Sequence, residues 1–324
     1  MRLGKVTENV LKRSVLKPLT EQKYNISAAV GTDCAFYNDN DSFVLSATMP
    51  VTFDTELCGA LSVIGAANNI LAMGGKPVMA VISILLPPDA EEKIIKDIMR
   101  SAMEAASMYH MPVNGGHTEV TSAVKRCVVT ASVTGMVQQD FFARTTQAVS
   151  GDDIVMVGTA GAIGAAALSC AKGHELISRY PAHMIEDAKK FYRYAIMESE
   201  AAVAIKSGVR AMHDISYGGV FAALWELAEG AGTGLEADLK KIPIRQETIE
   251  ISEFFEVNPY QLITGGMLIA VSDGEMLVEN FAKSGIEASV IGRLQAGNDR
   301  VLINDDEKRF LELPQADEIH KVLD

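Results

Sequence analysis

Residues 211–229 constrain this chain more than any other stretch, because a strand, a polar turn and a helix must follow one another there with no spare residues. The segment reads Ala211-Met-His-Asp-Ile-Ser-Tyr-Gly-Gly219 and continues as Val220-Phe-Ala-Ala-Leu-Trp-Glu-Leu-Ala-Glu229. Val220, Leu224, Leu227 and Ala228 recur at helical spacing, so the second half is a helix. The first half places His213, Asp214, Ser216, Gly218 and Gly219 where that helix begins. A helix N-terminus carries unpaired N–H groups and a partial positive charge, which suits phosphate. Glycines let a ligand approach the backbone, and Asp214 is a candidate metal ligand. A capped helix, with Ser216 or Asp214 as the cap, is the structural alternative.

A length of 324 residues predicts about two domains. A hydrophobic content of 48% with 22% charged residues provides ample core. The net charge of −13 and the absence of a dense Lys/Arg cluster exclude nucleic acid and an anionic membrane surface as expected partners. Cys34, Cys58, Cys127 and Cys170 lie far apart without a C-x-x-C pair, which fits a reducing compartment. The N-terminus, Met1-Arg-Leu-Gly-Lys-Val-Thr-Glu-Asn, has no apolar signal region. The longest apolar run, Val78–Leu86, is too short to span a bilayer. The expectation is a cytoplasmic protein.

Periodicity predicts helices over 5–17, 56–73 and 88–109, and strands over 43–48, 78–86 and 126–135. The polar stretch 138–153 predicts a boundary, with one domain over 1–148 and a second over 149–324. In the second, strands are expected at 154–157, before Asp214, and at 234–238, 267–272 and 287–293. Helices are expected at 161–171, between 184 and 207, and at 219–230, 246–256 and 274–283. This succession is α/β, in an α+β two-domain arrangement.

Asn114-Gly-Gly-His-Thr-Glu-Val-Thr121 is the second concentration of polar groups beside glycines. If it is extended, His117 and Glu119 share one face, and the carboxylate can orient the imidazole for proton transfer or metal binding. An exposed hairpin end with an incidental pair is the alternative. Gly74-Gly-Lys76 lacks Walker A spacing and ends a helix, the wrong end for phosphate. Gly158-Thr-Ala-Gly-Ala-Ile-Gly164 lacks the dinucleotide fingerprint. Cys34, within Gly31-Thr-Asp-Cys-Ala35, reads as a small half-buried residue rather than a nucleophile.

Taken in order, these segments resemble the aminoimidazole ribonucleotide (AIR) synthetase superfamily, which includes the hydrogenase maturation factor HypE, thiamine-monophosphate kinase and selenophosphate synthetase. The resemblance runs through Gly31–Ala35, Ala66–Pro77 and Gly115–Thr121. It continues through Arg144 ahead of Ser150-Gly-Asp152, and through Met212–Gly219. The runs Leu224–Glu229 and Lys241–Glu247 are most similar to the HypE-like branch. The resemblance implies an N-terminal sheet domain that dimerises, a C-terminal α/β domain, and ATP with Mg²⁺ bound between them. It implies Asp33 and Asp214 as metal ligands. It implies nucleotide contacts from Asp33, Asn68, Asn69, Gly115, Gly116, His117, Thr118, Arg144, His213, Gly218 and Gly219. His117, Glu119 and Asp214 become the candidate catalytic residues.

Some positions depart from that pattern. Thr32-Asp33 stands for a pair of acids, Met49 for an aspartate, Asn69 for the acid of an Asn-Asp pair, and His117 for the aspartate of the kinases. Hard cations want anionic oxygen, so Met49 and Asn69 in place of acids predict weakened Mg²⁺ binding. No cysteine follows Cys170, so thiocarbamate dehydration of the HypE kind on a C-terminal thiol is not expected. The resemblance thus implies transfer of the γ-phosphoryl group to a hydroxyl, amide or phosphate of a small-molecule acceptor; a nucleoside such as α-ribazole is one option. The alternative is a nucleotide-binding regulatory homodimer with lost or weak catalysis.

Overall fold

The β-branched run expected near 126–135 is the central strand of the first of two sheets. The structure, a computed structural model, describes residues 3–22 and 28–324, so the first two residues of the polar N-terminus lie outside it. The chain opens with α1 (Glu8–Leu11), a π turn over Lys12–Leu16, and α2 (Lys17–Thr20). This helical segment starts and ends about three residues later than periodicity predicts. Pro18, which has no N–H to donate, falls directly after the π turn, at the beginning of α2.

The first sheet holds β1 (Ala35–Asp39), β2 (Ser42–Val51), β3 (Lys76–Leu86), β4 (Val113–Val120) and β5 (Val128–Gln138), in the order β1-β2-β5-β3-β4. All neighbours are antiparallel except β3 and β4. One face packs on α3 (Cys58–Ala72), which carries α4 (Glu92–Met108) outside it. Fourteen of the fifteen residues of α3 are buried, which is why its sequence is apolar on every side. Leu61, Ile64 and Ile70 are each 1% exposed or less, and burying each contributes about 2 kcal/mol. The other face has no helix over it among the described residues. Pro87–Ala90 forms a turn (Ala90 N–H to Pro87 O, 3.1 Å), so α4 begins later than expected.

The second sheet holds seven strands in the order β12-β11-β8-β10-β6-β9-β7. They are β6 (Asp153–Gly158), β7 (Ala211–Asp214), β8 (Gly234–Asp238), β9 (Gly266–Val271), β10 (Ala288–Gln295), β11 (Arg300–Asn304) and β12 (Glu307–Phe310). Only the β8–β11 pair is parallel. Its helices are α5 (Ala162–Leu176), α6 (Ala182–Ala188), α7 (Glu198–Lys206), α8 (Gly219–Ala231), α9 (Gln246–Phe254) and α10 (Gly274–Lys283), with a short α11 (His320–Leu323) at the end. The expected strands and helices occur with shifted ends. The β1 strand and the β11–β12 hairpin carry no expectation; the hairpin turns at Asp305, whose φ of 53° is adopted without a glycine to signal it. No helix of the described residues is long and apolar enough to cross a membrane.

The two sheets meet through α3. Asn68 donates to the Ala195 carbonyl at 2.6 Å and accepts from the Tyr109 hydroxyl at 2.8 Å. With 1% exposure and both ends of its amide engaged, Asn68 joins the two halves rather than facing a nucleotide, contrary to the sequence expectation.

Candidate functional site

A cleft of about 840 Å³ lies where the 29–33 loop, β2 and the N-terminal segment of the first half meet β7 and α8 of the second. The loop reaches α8 only because residue 31 is glycine: a Cβ there would lie 2.4 Å from the Glu226 carbonyl oxygen. Thr145 fastens the same loop, donating its hydroxyl to Gly31 O at 2.8 Å. This close approach brings Asp33 to His213, 180 residues away in sequence.

His213 lies between two carboxylates. Its Nδ1 is 3.0 Å from Asp33 Oδ1, and its Nε2 is 3.3 Å from Glu226 Oε2. Ionised carboxylates only accept, so both ring nitrogens donate and the imidazole is a cation. Burial opposes that charge, but Asp33 and Glu226 outweigh it and move His213 up to about 10. Burial likewise opposes the charge on Glu226, yet Lys5 (3.2 Å) and His213 hold its carboxyl down at about 2.

Asp214 is the exception in this cluster. It is 4% exposed, and neither carboxyl oxygen has a hydrogen-bond partner of ordinary geometry. Burial first, then the charge of Asp33, pushes its carboxyl up to about 8; His213, the nearby Ser216 and Lys5 offset only part of this. A buried carboxylate with two orphan oxygens is costly unless a cation or a donor joins it. Thr32, Met49 and Asn69 complete this wall of the cleft.

The N-terminal segment holds the rim. Trp225 donates its indole N–H to Glu8 at 2.7 Å, and Lys12 bridges Glu8 and Glu229. Arg300 pairs with Glu229 and lies 3.8 Å over the Trp225 ring. These contacts on one face of α8 seat Lys5 and Leu11 at the cleft.

Other residues expected at the site lie elsewhere. The start of α8 does not face the cleft as an open anion site. Gly218 donates its N–H to Asp317 Oδ2 at 2.7 Å, and Gly219 donates to Ser216 O at 3.0 Å. A carboxylate from the 317–319 turn thus takes the position expected for phosphate. Gly115, Gly116, His117, Thr118 and Glu119 are in β4, an edge strand of the first sheet. A Cβ on Gly116 would lie 1.8 Å from Ile82 O, so this glycine permits the parallel pairing with β3. His117 and Glu119 do meet, at 3.1 Å, but their side chains are 66% and 50% exposed and they are not part of the cleft. Arg144 stacks over Phe142 (5.2 Å) and Phe36 (5.9 Å), also outside the cleft. Of the residues expected at the site, the fold brings together Asp33, Asn69, His213 and Asp214.

Sequence reasoning missed Lys5, Glu226, Arg126, His320 and Asp324, all of which line the cleft. Only Glu226 had a usable signal. It sits about two turns into α8 from Gly219, on a helix whose beginning was already a candidate site.

Residues 28–137 match the AIR synthase related protein, N-terminal domain, and residues 149–304 match the AIR synthase related protein, C-terminal domain. The chain belongs to the AIR synthase related family. It is similar to a candidate hydrogenase expression/formation protein of Methanocaldococcus jannaschii, 24% identical over 98% of this chain and 97% of that protein. It is also similar to the carbamoyl dehydratase HypE of Azotobacter vinelandii, 27% identical over 84% of this chain and 76% of that protein. Among solved structures, the fold resembles ThiL complexed with AMPPCP and TMP, with a TM-score of 0.71, 22% identity, and coverage of 95% of this chain and 96% of that one. The two-domain α/β fold expected from the sequence is therefore the fold of this family.

Proposed function

We propose that this chain is an ATP-dependent phosphotransferase that acts on a small molecule in the cleft between its two sheets. One observation carries the reading: Asp214 is buried with both oxygens unpartnered, beside Asp33, in the wall of that cleft. An orphaned carboxylate of this kind fits a divalent cation. Among the described residues no group of three or more His, Cys, Asp or Glu is able to hold a metal alone. Mg²⁺ suits that donor set, since it keeps several waters and takes one or two carboxylates together with substrate phosphates. Mg²⁺ bound with the nucleotide supplies charge neutralisation of the triphosphate.

The chain's own residues do the rest. Asp214 and Asp33 hold the ion, with Asn69 a neutral oxygen donor on the same wall. His213 fixes Asp33 and offsets the negative charge gathered around it. Lys5 closes the rim against Glu226. ThiL in complex with AMPPCP and TMP has the same fold and supports a nucleotide in this cleft.

The division of the chain between residues 148 and 149, and a homodimer, belong to the same proposal. Met79, Val81 and Met136 are exposed on the uncovered face of the first sheet. By register, His117 and Glu119 lie beside Ser83 and Leu85 on that face. A second copy laid on it covers these apolar side chains. His117, oriented by Glu119, keeps an acid–base role only if the pair completes a cleft across two copies. Light scattering of the eluted protein tests the dimer; a monomer at working concentration refutes it.

A second reading, a regulatory nucleotide binder without turnover, draws support from Met49 and Asn69, two non-acidic side chains on the cleft wall. Calorimetry with ATP and Mg²⁺, followed by ADP release across candidate acceptors, separates the two. Turnover with any acceptor supports the first. Binding without turnover favours the second, and no binding at millimolar ATP overturns both.

A further inference from the structure

Two charged clusters line the cleft: Asp33, Asp214 and Glu226 with the cations His213 and Lys5 among them, and a basic end of Lys125, Arg126 and His320. At the basic end a carboxylate is already bound. Arg126 donates to Asp324 Oδ1 at 2.7 Å and to the Leu323 carbonyl at 2.6 Å, while His320 Nδ1 lies 2.7 Å from Asp324 Oδ2. The carboxylate is thus gripped from two directions, by an arginine of the β4–β5 connection and by a histidine of α11.

This grip is built rather than incidental. The His320 side chain is 9% exposed, and its ring stacks on Tyr217 with an interplanar angle of 12° and meets Phe53 edge-on. Tyr217 is itself tied to the first sheet through its hydroxyl, which donates to Pro50 O at 3.0 Å. Lys125, exposed beside Arg126, has no ion-pair partner among the described residues. A guanidinium fork with a fixed imidazole is suited to a planar or tetrahedral oxyanion.

We infer that this end is an acceptor subsite for a small molecule carrying a compact oxyanion, a carboxylate or a phosphate, with the Asp324 side chain as its resident stand-in. The word acceptor rests on the phosphotransferase reading; the anion binding does not. Arg126, Lys125 and His320 hold the anion of such a molecule, leaving the rest of it to reach toward Asp33 and Asp214. Asp324 competes with the ligand for Arg126, so the subsite opens only when the ligand displaces it.

The test titrates inorganic phosphate, and acetate in parallel, into the full chain, Asp324→Asn, Arg126→Gln and the double variant. Asp324→Asn is expected to tighten binding about tenfold, the worth of one charge-assisted hydrogen-bonded competitor. Arg126→Gln is expected to weaken binding about tenfold in the Asp324→Asn background, where no competitor masks the loss. Tighter phosphate than acetate marks a phosphate-bearing acceptor, and the reverse marks a carboxylate. Asp324→Asn binding no better than the unaltered chain, or the double variant binding as well as Asp324→Asn, overturns the subsite. Nucleotide binding is read separately, with AMPPCP and Mg²⁺ on the unaltered chain. Loss of that signal with the phosphate pattern intact sinks the phosphotransferase reading and leaves the subsite standing.

Discussion

In the cleft, His213 lies 3.0 Å from Asp33 with 3% of its side chain exposed; on β4, His117 lies 3.1 Å from Glu119 with 66% of its side chain exposed. The distances are nearly equal and the environments opposite. Around His213, two carboxylates reverse the effect of burial and make the imidazole a permanent cation at neutral pH. Around His117, solvent screens the carboxylate, and a pair of this kind is worth little. Two imidazole–carboxylate pairs at nearly equal distance therefore differ in consequence through burial and through the second carboxylate, Glu226, that burial brings to His213. The cleft also holds a group with no counterpart on β4, the unpartnered Asp214.

The strongest way to break this contrast is His213→Ala. It leaves Asp33 and Glu226 without their shared cation, and removing one member of a buried ionic cluster costs about 3–5 kcal/mol. Denaturant unfolding measures it, and a loss no larger than that of His117→Ala would erase the distinction. Asp214→Asn comes next. It is expected to weaken Mg²⁺-dependent ATP binding about a hundredfold, comparable to losing a charged ligand group. Above about pH 8, where this carboxyl ionises, the change also removes a buried unpaired charge, so its Tm there should rise rather than fall. Unchanged affinity in calorimetry would remove Asp214 from the site.

Asp317 gives the pH dependence. Burial raises its carboxyl from 3.8 to about 6, against the N–H groups of Ile319 and Gly218. A folded-state value above the unfolded one means the folded chain holds the proton more tightly. The contribution to stability is full below 3.8 and is lost as pH rises through about 6. Relative to the unaltered chain, Asp317→Asn should gain about 2 kcal/mol between pH 4 and pH 7. Unfolding curves at both pH values check it, and a constant difference would show that Asp317 does not titrate in this range. The smallest effect is expected from His117→Ala and Glu119→Gln, within about 0.5 kcal/mol of stability. If either abolishes turnover while leaving the fold intact, the β4 pair works across two copies and the contrast holds only for a single chain.

Much of the fold was legible along the chain. The strand at 78–86 and the helix at 56–73 were readable as apolar runs separated by Gly74, Gly75 and Pro77, and the helix at 219–230 by its residue period. The hairpin of β11 and β12 was not, since Asp305 turns it without the glycine that usually marks such a turn. At the site, Asp33 and Asp214 stood out as isolated acids beside glycines. Glu226 looked like one more polar position of an amphipathic helix, and Lys5 like part of a polar terminus. Gly218 and Gly219 misled: a helix N-terminus invites an anion, and sequence cannot say that Asp317 supplies it from a hundred residues away.

By itself, the sequence determined the elements, their alternation, and the family through the order of its glycine- and acid-bearing turns. These depend on neighbours within a few residues, where periodicity, capping and turn chemistry act. The tertiary structure alone decided which charges meet. Asp33, Lys5 and the pair His213 and Glu226 come from three separate stretches, and only burial in a shared cleft turns them into a single electrostatic unit. Desolvation is a property of the packed chain, so no local pattern foretells it.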